Sequence, residues 1–156
     1  MSKSKPKWLK QAAIGATAAV IMASLTSYME GIRLIPYGDV GGIPTVCEGL
    51  TQVPMHTYTK EQCSVLDSLQ REKELSFVES TVSVELTQPQ KAAFADFVYN
   101  VGHQAWLNST ARRFVNSGNV KEGCKQLLRW VWAAGKRQPG LVKRRTAEYQ
   151  LCMGEF

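Results

Sequence analysis

Histidine is scarce in this sequence, and no two cysteines form a Cys-x-x-Cys pair. His56 and His103 are the only histidines, too few donors for a metal centre of imidazole and thiolate ligands. No metal and no organic cofactor are expected. Acidic residues are also in the minority, 13 against 19 lysines and arginines, giving a formal charge of +6. Such a balance suits a polyanionic partner: nucleic acid, a membrane surface or bacterial cell wall. Nucleic acid is not expected, because Arg112, Arg113, Arg137, Arg144 and Arg145 are not interleaved with aromatics in one strip and no binding motif is present. Internal repeats and low-complexity linkers are missing too. At 156 residues the chain makes one domain with a true core, plus at most a short appendage.

Charge itself is missing from Gln11 to Met29, nineteen residues that follow Lys3, Lys5, Lys7 and Lys10. A positive stretch before an apolar run is the layout of an export signal. The run is long enough to span a bilayer as a helix. Only Ile14, Val20, Ile21, Met22, Leu25 and Met29 in it are strongly apolar; most of the rest are Ala, Gly, Ser or Thr. Such a segment enters a membrane marginally and is able to leave it; while it is inserted, the positive flank predicts the N-terminus in the cytoplasm and the remainder outside. The alternative is an Ala-rich buried helix of a soluble protein. The compositional break at Met29/Glu30 separates residues 1–29 from a domain over 30–156. Cys47, Cys63, Cys124 and Cys152 allow three disulfide connectivities or four free thiols, and an exported chain favours disulfides.

Glu30 to Thr45 is the densest stretch for chemistry. Pro36, Gly38, Gly41 and Gly42 forbid a helix through it, so the chain turns between Glu30 and Asp39 and is free to point both acids into one cleft. Paired glycines beside β-branched residues predict a small hairpin or three-stranded ribbon over 37–53. Glu30, at the end of an apolar run, is expected to be desolvated and protonated, a general acid. Asp39, among glycines, is expected to be ionised and to orient or deprotonate a water that the Thr45 hydroxyl holds. Two acids nine positions apart are common, and two surface acids are the alternative on the residues alone.

The rest of the chain is helical. Thr59-Lys60-Glu61-Gln62 is a capping box that starts a helix to about Val82. Val65, Leu66, Leu69, Phe77 and Val78 are expected inward, with Lys60, Glu61, Asp67, Arg71, Glu72, Lys73 and Glu74 as a solvated face. Thr87 and Pro89 start a second helix, apolar on most sides, as the central buried element. Thr110–Gly118 is a short helix, Asn119 caps one to about Trp132, Ala133–Gly140 is a basic loop, and Leu141–Cys152 is the last helix.

Glu30, Asp39 and Thr45, at that spacing, resemble the catalytic Glu/Asp/Thr pattern of the phage-type lysozymes (muramidases, glycoside hydrolase family 24). Pro36-Tyr37-Gly38-Asp39, Phe97-Val98-Tyr99-Asn100-Val101-Gly102, Arg129-Trp130 and Gly140–Glu148 are similar to family motifs in family order. The resemblance implies an α+β, two-lobed lysozyme fold: a small β-hairpin lobe, a mainly helical lobe, and an N-terminal weakly apolar helix. It implies hydrolysis of the β-1,4 bond between N-acetylmuramic acid and N-acetylglucosamine in peptidoglycan, with inversion. Glu30 would protonate the leaving oxygen while Asp39 and Thr45 hold the attacking water. Tyr37, Asn100, Arg144 and Arg145 would support the site, one of the two arginines pairing with Glu30. The N-terminus resembles the signal-anchor-release endolysins, which implies contact with the host export machinery and tethering in the inner membrane through residues 11–29. The enzyme would stay inactive until release into the periplasm and act as a monomer. In that fold Cys47–Cys63 and Cys124–Cys152 are the expected disulfides. A membrane-anchored cell-wall binder without catalysis is the rival from another class, and a transglycosylase the rival enzyme.

Overall fold

The structure, a computed structural model, describes residues 4–156. Met1–Lys3, and with them Lys3 of the positive leader, lie outside the described residues. The uncharged run folds as two helices, α1 (Lys7–Ala13) and α2 (Ala18–Glu30), with Gly15 in the left-handed region (φ 75°) between them. Thr17 caps α2, and Gly31 (φ 64°) ends it immediately after Glu30. Strands β1 (Arg33–Gly38) and β2 (Pro44–Cys47) follow as an antiparallel hairpin that pairs Tyr37 with Thr45. Helix α3 (Lys60–Thr81) starts at the expected capping box and leads to α4 (Gln88–Val101). Three short helices come next: α5 (His103–Leu107), α6 (Thr110–Asn116) and α7 (Val120–Gln126). A 3₁₀ turn (Leu127–Arg129) and a second hairpin, β3 (Trp132–Ala133) with β4 (Lys136–Arg137), precede α8 (Pro139–Met153).

Two cores hold the lobes together. The larger surrounds α4, whose Ala92–Val98 are all buried, and takes in Ile21, Met22 and Leu25 of α2, Trp106, Leu127 and Leu151. The smaller packs Val46, Leu50 and Tyr58 around Cys47 and Cys63 under the first hairpin. Each carries a disulfide: Cys47–Cys63 joins β2 to α3, and Cys124–Cys152 joins α7 to α8. Ala18, Ile21, Met22 and Leu25 therefore belong to the helical lobe's core here, and α2 runs unbroken across the compositional break at Met29/Glu30. No helix among the described residues is long and apolar enough to cross a membrane.

Three sequence expectations need correction. On α3, Val65 and Leu69 are exposed, whereas Cys63, Asp67, Glu74 and Val78 are the buried residues. These fall at i, i+4, i+11 and i+15, one helical stripe. Acids occupy it because they meet polar partners from the hairpin and from α5, so charge misread the face. The helix capped by Asn119 stops at Gln126 rather than Trp132. Ala134 (φ 52°) and Gly135 (φ 73°) make a left-handed pair that closes β3 on β4, so Ala133–Gly140 is in part a hairpin and not only a basic loop. Arg144, Arg145 and Glu148 of α8 are all buried, as suits the supporting role expected of the two arginines.

Candidate active site

Glu30 is the last residue of α2, its side chain about one-fifth exposed at 18%. Its Oε1 accepts a hydrogen bond from Nη1 of Arg144, which reaches across from α8. Asp96 of α4, fully buried, takes the other edge of that guanidinium: Nε donates to Oδ2 at 2.9 Å and Nη2 to Oδ1 at 3.0 Å. A bidentate pair of this kind fixes direction as well as distance. Burial works against the Arg144 charge, but Asp96 and Glu30 outweigh it and hold the group above its ordinary range. Burial likewise opposes ionisation of Asp96, and Arg144 with the hydrogen bonds to the carboxylate holds it below the usual range. Glu148, fully buried, is pushed well above the usual range by desolvation, which Arg145 only partly offsets. Arg145 donates to both Glu148 oxygens (2.7 and 2.9 Å), to Trp130 O (3.0 Å) and to Asn100 Oδ1.

Asp39 stands at the tip of the first hairpin. Its Oδ1 accepts from Gly41 N (2.9 Å) and Ile43 N (2.8 Å), which locks the side chain against its own turn. Gly42 supplies the positive φ (76°) that the turn requires. Thr45, 3% exposed, donates its hydroxyl proton to Ile43 O at 2.8 Å, which leaves the oxygen an acceptor. Tyr37, opposite Thr45, lies under the Arg33 guanidinium at 4.4 Å. Partial burial, together with Glu30 and Asp39, raises its pKa against the opposing pull of Arg33.

An open cleft of about 1120 Å³ runs between the hairpin and the helices, and Glu30, Tyr37, Asp39, Thr45, Asn100 and Arg144 all line it. Arg145 does not: it sits behind the wall and holds Asn100. The cysteines stand outside the cleft and pin its two sides. Among the described residues no group of His, Cys, Asp and Glu is arranged to hold a metal ion.

Several residues of the site carried no motif. Glu48 uses every polar group it has. Its N–H donates to Asp67 Oδ1 (3.1 Å), its carbonyl accepts from Tyr99 Oη (2.7 Å), and its carboxylate accepts from Ser27 (2.8 Å) and Arg71 (2.7 Å). Asp67 Oδ2, buried, has no partner, and burial pushes that carboxyl up to about 6. Gly49 packs so closely on Glu30 that a Cβ would stand 2.7 Å from Oε2. Asp96 had one usable signal: a lone acid inside the apolar run Ala92–Val98 must be paired.

The family described as "Phage lysozyme" matches residues 27–148. The chain belongs to the phage lysozyme family. Among its relatives, the SAR-endolysin of Enterobacteria phage PA-2 is 34% identical over 151 residues, covering 91% of this chain and 92% of the relative. The SAR-endolysin of Bacteriophage PS119 is 37% identical over 128 residues, covering 80% and 77%. The solved endolysin from Escherichia coli O157:H7 phage FAHEc1 superimposes with a TM-score of 0.74 at 26% identity, covering 91% and 94%. This phage lysozyme is thus a glycoside hydrolase of the muramidase type, with the two-lobed α+β architecture of the family and peptidoglycan as the family's substrate.

Proposed function

We propose that this phage lysozyme is an exported endolysin that cleaves the muramic acid–glucosamine β-1,4 bond by inversion, from the periplasmic side of the host inner membrane. The observation that carries the proposal is the convergence of Glu30, Asp39 and Thr45 on one cleft, from the end of α2 and from the hairpin. Glu30 gives its proton to the leaving glycosidic oxygen, held in place by Arg144. Asp39 and the Thr45 oxygen hold a water against the opposite face of the sugar, the arrangement that inverts the anomeric centre. Tyr37 and Asn100 form the cleft wall, and Arg145 positions Asn100.

The division into an anchor, residues 1–29, and a catalytic domain, residues 30–156, belongs to the same proposal. It rests on the positive flank, the nineteen uncharged residues and the SAR-endolysin relatives. At about 1.5 Å per residue those nineteen residues make a helix of about 30 Å, the thickness of a bilayer core. In the folded arrangement the run is broken at Gly15 and packed onto α4, as expected of a released form. Two disulfides suit an oxidising periplasm. No second chain is required by any feature of the site, so a monomer is proposed.

Purified wild type and Glu30→Gln tested on isolated peptidoglycan separate an enzyme from a wall binder: only the wild type should clear the suspension. NMR of the fresh product should show the α anomer first and an intact reducing end. A β anomer sinks inversion, and an anhydro sugar would make the protein a transglycosylase.

A further inference from the structure

Two hydroxyls lie one turn before Glu30 on α2, and the catalytic assignments above do not use them. Thr26 and Ser27 stand at i−4 and i−3 from Glu30, the positions that share its helix face. Each donates to a carboxylate, and the two carboxylates belong to different lobes. Thr26 Oγ1, fully buried, donates to Asp96 Oδ1 at 2.9 Å, in the helical lobe. Ser27 Oγ donates to Glu48 Oε1 at 2.8 Å, beneath the hairpin.

Both carboxylates then lead back to Glu30. Asp96 grips Arg144, and Arg144 donates to Glu30 Oε1. Glu48 is followed by Gly49, whose Cα faces Glu30 Oε2 so closely that no side chain fits between. The Glu48 segment has no freedom of its own, since Asp67, Arg71 and Tyr99 hold its remaining polar groups. The helix therefore closes two rings, one through each lobe, and Glu30 is the point they share.

We propose that Thr26 and Ser27 are positioning residues for Glu30: they register α2 between the lobes, so that the carboxyl is aimed only when this face of the helix is docked. This rests on Glu30 being the acid and on residues 11–29 leaving the membrane. Serine and threonine suit both states. In a lipid-embedded helix their hydroxyls bond back to a carbonyl one turn earlier, so they cross at small cost. On docking, the same hydroxyls turn to charged acceptors, which give stronger hydrogen bonds. An alanine or valine would pack as well and would leave the registration out.

The test uses the purified, released full chain on peptidoglycan, with Thr26→Val, Thr26→Ser and Ser27→Ala beside wild type and Glu30→Gln. Thr26→Val keeps the shape and removes the donor. It should lower kcat about tenfold with KM close to wild type, because small displacements of a catalytic group are costly to rate, and lower the melting temperature by a few degrees for the lost buried hydrogen bond. Thr26→Ser restores the donor and should restore kcat. Ser27→Ala should lower kcat in the same sense, and in the variant that carries both Thr26→Val and Ser27→Ala the two losses should not add, since both act through one carboxyl. Should Thr26→Val not fold, Thr26→Ala against Thr26→Ser makes the same comparison. Wild-type kcat in Thr26→Val, or equal losses in the Val and Ser variants, overturns the inference. So does a fall in melting temperature with kcat unchanged. An inactive wild type, or an active Glu30→Gln, would instead overturn the enzyme assignment itself.

Discussion

Gly49 and Asp67 show how much of the site is set by single residues outside the proposed catalytic trio. Gly49 has φ +83° and leaves no room for a Cβ beside the Glu30 carboxyl. Gly49→Ala should displace Glu30 and lower kcat by about a hundredfold, with about 1 kcal/mol lost from the left-handed backbone; steady-state kinetics and a melting curve measure both. Asp67 makes a pH prediction. Its pKa is raised from 3.8 to about 6, so the folded state holds this proton more tightly than the unfolded chain does. That contribution is fully present below the unfolded value and is lost as pH rises through the folded one. Asp67→Asn, which cannot ionise, should therefore raise the melting temperature by a few degrees at pH 7.5 and leave it nearly unchanged at pH 3.5. A gain of equal size at both pH values contradicts the titration.

At the scale of elements, the disulfides can be ranked by the loops they close. Cys124–Cys152 spans 28 positions and Cys47–Cys63 spans 16, so chain entropy gives each about 3–4 kcal/mol, slightly more for the former. Replacing either pair by serine should lower the denaturant midpoint without changing kcat at a temperature where the protein stays folded. Much of the element pattern was legible in sequence. The capping boxes at Thr59 and Thr87 started α3 and α4 where expected, because two local hydrogen bonds decide such a start. The faces were less legible. Asp67 and Glu74 on α3 read as solvated because charge usually is. Here the backbone N–H of Glu48, which meets Asp67, and His103, which meets Glu74, are long-range partners that no local pattern announces. The end of α7 was missed for a related reason: β3–β4 depends on Ala134, a residue without a turn signature, adopting a positive φ. Within the site, Glu30, Asp39 and Thr45 were visible through their spacing and the family resemblance. Glu48 was not, and Asp96 offered only its place as a lone acid in the apolar run Ala92–Val98, which calls for a partner without naming it.

For the whole molecule, the proposed function makes one helix the link between location and chemistry. Residues 18–30 form a single element that carries part of the core at one end and Glu30 at the other. In the proposed membrane-held form, α4 would lack the packing of Ile21, Met22 and Leu25, and Arg144 would lack its carboxylate partner on α2. Ala13 and Ala19 are exposed in the folded arrangement, and Ser24 bonds only to its own helix. Changing these three to leucine should strengthen membrane retention with little disturbance to the docked fold. The most direct test is the specific muralytic activity of the membrane-held and soluble forms, with the leucine variant supplying the first and wild type the second. The soluble form should clear peptidoglycan and the membrane-held form should be at least about a hundredfold slower, a barrier difference of about 2.7 kcal/mol. Equal activity per molecule in the two forms would contradict the coupling of Glu30 to the release of α2.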